Sequence, residues 1–85
     1  MIDIQLKDRS EGPVYLQIRT QLEALIRGRL GAGDPLPAPA ALARQLSVDA
    51  GEVQRAYFEL EHYGLITRAV SRDFLGKEKT TYAVK

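Results

Sequence analysis

The sequence predicts a mainly α domain of three helices closed by a small two-stranded β-hairpin, and three observations carry that prediction. Apolar residues recur at three- and four-residue spacing from Val14 to about Arg27. Two shorter helical patterns follow, separated only by Ser47-Val48. Beyond Gly64 the period changes to two, the alternation of a half-buried strand.

The first helix is read after Gly12-Pro13, with Leu16, Ile18, Leu22, Leu25 and Ile26 on its apolar stripe. Gly28 and Gly31 are read as its terminators, because glycine takes the left-handed conformation at low cost. The turn-rich link "GAGDPLP" leads to a second helix from Pro39, a residue suited to the first helical position, to Leu46. Ala41, Leu42 and Leu46 are its core candidates. A third helix opens after Asp49 and closes at Gly64, with Val53, Ala56, Tyr57, Leu60 and Tyr63 facing inward. Asp49 and Glu52 have the spacing of a reciprocal cap, in which Glu52 folds back to the Asp49 amide. Strands are expected over 65–74 and 80–84, joined by a turn at Gly76. Ahead of these elements, Ile2, Ile4 and Leu6 alternate in "IDIQL", so residues 1–12 are an arm or a strand and 13–85 the domain. Three helices with a tight second connection, followed by a hairpin, make a winged helix-turn-helix.

Bulk properties narrow the function. Eighty-five residues suffice for one small domain, burying about 60–65% of its unfolded surface. No apolar run reaches the ~18–20 residues that span a bilayer, and "MIDIQLKDRS" has no apolar signal core. The absence of cysteine excludes disulfides and thiolate metal sites and is compatible with the cytoplasm. A single His62 and the absence of a phosphate-binding glycine loop give no sign of catalysis, a metal or a cofactor.

Charge is unevenly placed. The net charge of +1 divides into 0 over residues 1–37, −2 over 38–64 and +3 over 65–85. With Val53, Ala56 and Leu60 turned to the core, Gly51, Gln54, Arg55 and Phe58 fall on the outer face of the third helix. Gln54 suits adenine, and Arg55 suits guanine or phosphate. Arg68, Arg72, Lys77 and Lys79 are candidates for phosphate contact from the wing. Arg44 and Gln45 are candidates on the second helix. Phe58, an outward aromatic, marks a candidate protein contact.

The segments "PVYLQIRTQLEALIRGRLGAGDPLP" and "LARQLSVDAGEVQRAYFELEHYGLI" together resemble the GntR family of bacterial regulators, over about residues 13–68. "VQRAYFELEHYGLI" is similar to its YtrA-like branch. The resemblance implies that the third helix enters the major groove of DNA while the wing touches backbone or minor groove. Departures are concentrated on the reading surface. The family's Leu-Pro-Ser-x-Arg-x-Leu-Ala is here Leu36-Pro37-Ala38-Pro39-Ala40-Ala41-Leu42-Ala43, without the serine cap and the DNA-contacting arginine. The third helix opens Asp49-Ala50-Gly51-Glu52 rather than with the family's Ser-Arg-Thr-Thr or Asn-Pro-Asn-Thr.

The expected function is a double-stranded DNA-binding transcriptional regulator without an effector domain, cytoplasmic and acting as a dimer, since inverted half-sites need two copies. The N-terminal arm and first helix are the segments expected to pair them. The alternative is a repurposed winged helix that binds a protein partner through the outer face of the third helix and has little or no affinity for DNA. A further variant is sequence-indifferent DNA binding through the basic wing.

Overall fold

The computed structural model describes residues 4–7 and 12–85. Helix α1 spans Val14–Gly28, α2 Pro39–Leu46 and α3 Ala50–His62. Strand β1 is the dipeptide Pro35–Leu36, and β2 (Ile66–Arg72) and β3 (Glu78–Val84) form the wing hairpin. The sheet is antiparallel in the order β1-β3-β2, so it has three strands rather than the two expected. Pro35 and Leu36 lie opposite Ala83 and Tyr82, which brings buried Leu36 into the core.

The helices pack because their stripes meet. Ile18 and Leu22 of α1, Leu42 of α2, and Val53, Ala56, Tyr57 and Leu60 of α3 are almost fully buried around Ile66. Each contributes about 1.5–3 kcal/mol relative to exposure for a side chain of Leu or Ile size. Ala43 is also buried, while Ala41 and Leu46, the other expected α2 core residues, are only partly so. Tyr63 departs from expectation. It is 65% exposed, because it lies past the last helical turn and its ring meets His62 edge-on, 5.6 Å between centroids.

The helix ends explain themselves locally. Gly64, at φ +77°, closes α3, with the Leu65 amide donating to the Leu60 carbonyl and the Gly64 amide to that of Glu61. The same pair of bonds closes α2, from Val48 to Ala43 and from Ser47 to Arg44. Here Ser47 occupies the left-handed region, at φ 58°. Gly28 is helical and Gly31 does not take positive φ; the positive-φ residue of that link is Gly33. The Arg29 and Leu30 amides instead both close on the Leu25 carbonyl. Ala38 caps α2 without any side-chain bond. Ala38→Ser should therefore stabilise the domain by about 0.5–1 kcal/mol, read as a higher urea midpoint at unchanged slope.

The reciprocal cap on α3 forms only in part. Asp49 Oδ1 accepts from the Gly51 amide at 3.2 Å. Glu52 turns the other way, and its Oε2 accepts from the Tyr15 amide at 2.9 Å. The cause lies at α1, which is capped by Pro13 and has no side-chain cap of its own. The Leu16 and Gln17 amides close on the Pro13 carbonyl, but the amides ahead of them have no helical carbonyl to reach, and the helix dipole favours an anion there. A carboxylate on α3 satisfies that demand.

Residues 4–7 are not a strand. They run along α1, held by two glutamines one turn apart. Gln21 accepts from the Gln5 amide at 2.8 Å and donates to the Gln5 carbonyl at 2.6 Å. Gln17 accepts from the Lys7 amide at 2.7 Å and donates to the Gly12 carbonyl. Ile4 is buried in the core. Ile2, part of the expected alternation, lies outside the described residues.

Candidate nucleic-acid interface

Three elements enclose an open groove. The α2 N-terminus supplies Ala38, Pro39 and Ala40, and the outer face of α3 supplies Gly51, Gln54, Arg55, Phe58 and Glu61. The base of the wing supplies Arg68, Thr80 and Tyr82. The four residues expected on the outer face of α3 are thus brought together, and Arg68 joins them.

Tyr57 fixes the relation between the walls. Its ring packs edge-on against Tyr82, 4.9 Å between centroids, which ties α3 to β3. Its hydroxyl donates to the Pro37 carbonyl at 2.7 Å, which ties α3 to the entry of α2. Burial, with a smaller contribution from nearby Tyr82, pushes the Tyr57 phenol well above its ordinary range. Glu61 pairs with Arg68 at 3.7 Å and adds a bond between α3 and the wing base.

Arg55 is not a free surface cation. Its guanidinium carbon lies 3.8 Å from the centre of the Tyr15 ring, and its Nε is 3.7 Å from Glu59. The same Glu59 carboxylate holds Arg19 of α1 at 2.7 Å. A cation stacked on an aromatic face loses rotamer freedom but keeps its in-plane donors for a ligand. Sequence reasoning located Arg55 correctly and missed Tyr15 and Glu59, whose partnership arises only when α1 crosses α3.

Two of the apparent losses at the start of α3 have structural causes. Ala50 is half-buried and packs against the core. Glu52 serves α1. Ala40 and Gly51, with Ala38 beside them, are small residues that line the groove. A Cβ built on Gly51 would meet nothing closer than Asp49, at 3.8 Å.

The four wing cations read as phosphate candidates do not share one face of the hairpin. Directly opposed residues share a face of a hairpin. Arg68 lies opposite Tyr82, Val70 opposite Thr80 and Arg72 opposite Glu78, so these six continue the groove-facing side. Lys79 lies opposite Ser71, one residue out of phase, and is on the reverse face. Lys77 is in the turn. Arg72 is paired with Glu78 at 3.2 Å. Arg44 is exposed one turn beyond Ala40 on α2, and Arg44 and its exposed neighbour Gln45 lie outside the groove lining. Phe58 is 71% exposed, so the wing does not cover it.

The sequence profile of the bacterial regulatory proteins of the gntR family matches residues 14–74. The chain belongs to that family. It is 36% identical over 72 residues to the uncharacterized HTH-type transcriptional regulator YhcF of Bacillus subtilis strain 168, covering 82% of this chain and 60% of that protein. It is 39% identical over 64 residues to the HTH-type transcriptional repressor YtrA of the same organism, covering 74% of this chain and 49% of the relative. The chain therefore spans about half to three-fifths of these curated relatives. Among solved structures, YtrA from Sulfolobus acidocaldarius, a GntR-family transcription factor, superposes with a TM-score of 0.72 at 35% identity, covering 99% of this chain and 79% of that one. A GntR family transcriptional regulator from Listeria monocytogenes gives 0.69 at 30% identity, covering 92% of this chain and 61% of that one. The winged helix-turn-helix and the YtrA-like resemblance both stand. Among the described residues, no helix is long and apolar enough to cross a membrane.

Proposed function

We propose that this GntR-family chain binds double-stranded DNA as the reading module of a transcriptional regulator, in the cytoplasm and without catalytic activity. The observation that carries the reading is the groove in which Gln54, Arg55 and Arg68 meet over a floor of Ala38, Ala40 and Gly51. Small floor residues let a nucleic-acid backbone approach closely, while two planar polar side chains supply base-edge donors. Arg72, Lys77, Lys79 and, from α2, Arg44 and Gln45 are assigned to flanking phosphates. The regulators named above support the same reading.

Two copies suit inverted half-sites. Residues 4–7 are committed to α1 within one chain, so pairing through that arm would compete with its own docking.

A salt titration of binding to a candidate upstream duplex and a random duplex tests the reading. Binding to one probe that survives physiological salt supports a sequence reader. Absence of binding even at low salt would overturn it. Ala40→Arg provides a gain-of-function check. The new cation would sit at the groove rim, and one added phosphate contact should steepen the salt dependence by about 0.9 in log–log slope. Phe58, at 71% exposure, supports the second reading, a protein partner on α3. Under that reading Phe58→Ala dissolves a partner complex and leaves DNA affinity unchanged.

A further inference from the structure

The β2–β3 hairpin ends in an apolar tip that its own folding does not require. Phe74 is 95% exposed and Leu75 68% exposed, with Val70 at 57% on the groove-facing side behind them. The turn is made by other residues. Gly76 takes φ +82°, and its amide donates to the Asp73 carbonyl at 3.0 Å. The Asp73 amide donates to the Lys77 carbonyl, and Asp73 Oδ1 accepts from the Leu75 and Lys77 amides at 2.9 and 3.0 Å. The turn is therefore hydrogen-bonded within itself, and the Asp73 carboxylate is engaged by backbone amides. Phe74 and Leu75 project from that frame with nothing covering them.

We propose that Phe74 and Leu75 form an apolar wedge that enters the minor groove of bound duplex DNA and unstacks a base step. The inference rests on the DNA-binding reading above and extends it to a residue pair and a mode of contact. Three observations converge on DNA as the occupant. The first is charge: Arg72 and Lys77 lie two residues to either side of the apolar pair and Lys79 follows, while Asp73 is held by the turn amides and Glu78 is paired with Arg72, so Lys77 and Lys79 are the cations left to meet phosphates as the tip enters. The second is direction: the hairpin face that begins as a wall of the α3 groove, at Arg68, runs outward through Val70 to Arg72 and the tip. The third is reach. The seven residues of extended chain from Ile66 to Arg72 carry the tip about 20 Å from the buried base over six rises. The minor groove next to an occupied major groove lies about half a helical turn away, roughly 17 Å. Phe and Leu are side chains that wedge between base steps and kink the duplex toward the major groove.

The chain contains no tryptophan, so Phe74→Trp places a single reporter at the tip. On binding a duplex that α3 recognises, this tryptophan should be quenched by base stacking and shielded from acrylamide. A 2-aminopurine placed at the wing-side step should brighten. An end-labelled duplex should shorten by energy transfer as it bends. The double variant Phe74→Ala/Leu75→Ala should lose the brightening and the bend, bind about 10–100-fold more weakly, and keep the same thermal midpoint, since both side chains are exposed. DNA that binds the wild-type chain but stays straight, with no change at either reporter, would overturn the wedge and leave the DNA-binding reading intact. A tryptophan shielded by anionic vesicles but not by duplex, or shielded by self-association before DNA is added, would also overturn it. Absence of binding by the wild-type chain at any salt would remove the DNA-binding reading and the wedge with it.

Discussion

Tyr57→Ala should leave the domain close to unfolding, with a loss of about 3–5 kcal/mol against a total of about 5–15 kcal/mol for a small domain. The cost has three sources. The ring is almost fully buried among α2, α3 and β3, so its removal opens a cavity. The edge-on contact with Tyr82 disappears. The Pro37 carbonyl loses the hydroxyl that serves it. Tyr57→Phe isolates the last of these and should cost about 1 kcal/mol. Urea unfolding followed by circular dichroism measures both. The phenol adds a pH signature. Its folded pKa is raised, so the folded state keeps the proton while the unfolded chain releases it near pH 10. Stability from this group is complete below about pH 10 and is lost as pH rises beyond it. Tyr57→Phe should therefore flatten the alkaline limb of the stability profile. An unchanged limb would show that Tyr57 is not the group responsible.

The second large effect concerns Arg55 and the ring beneath it. Arg55→Ala should weaken binding to a recognised duplex about 10–100-fold and relax the preference at one base pair, the ~1–3 kcal/mol expected of a bidentate contact. Tyr15→Ala should produce a weaker version of the same phenotype without touching DNA, because the ring holds the guanidinium in place. Arg55→Lys should not restore binding, since an ammonium offers neither the planar stack nor the paired donors. Competition binding against single-base-pair substitutions separates these outcomes. A Tyr15→Ala chain that binds more tightly would mean that the stack withholds Arg55 rather than presenting it.

Much of this fold was legible in the chain because the signals are local. The stripe from Ile18 to Leu22, Pro39 at the start of α2 and Gly64 at the end of α3 each act within a few residues of themselves. Strand β1 was not legible. Two residues carry no periodicity, and Pro35–Leu36 is a strand only because β3 returns alongside it. Glu52 was misjudged for a related reason. Sequence spacing offers it the Asp49 amide three residues away, whereas the folded chain offers the uncapped start of α1, 37 residues away. The wing charges were visible as residues but not as faces. Only the register separates Lys79 from Arg68 and Arg72. For the groove, Gly51, Gln54, Arg55 and Phe58 were found from helical geometry alone. Tyr15 was not, because nothing in α1 announces which of its side chains will lie under α3.

Gln17 and Gln21 turn residues 4–7 into a tethered ligand of α1. A short connection gives such a segment an effective concentration in the millimolar range. Opening this contact would expose Ile4 and release both glutamines together, so the segment is expected to detach as a unit. The Gln5 and Lys7 amides, both bonded to glutamine side chains, should exchange with solvent at the pace of that detachment, well ahead of the amides of α3. Any second molecule that needs this side of α1 finds it vacant only in those intervals, so its apparent affinity is set jointly by its own contacts and by the fraction of time the arm is away.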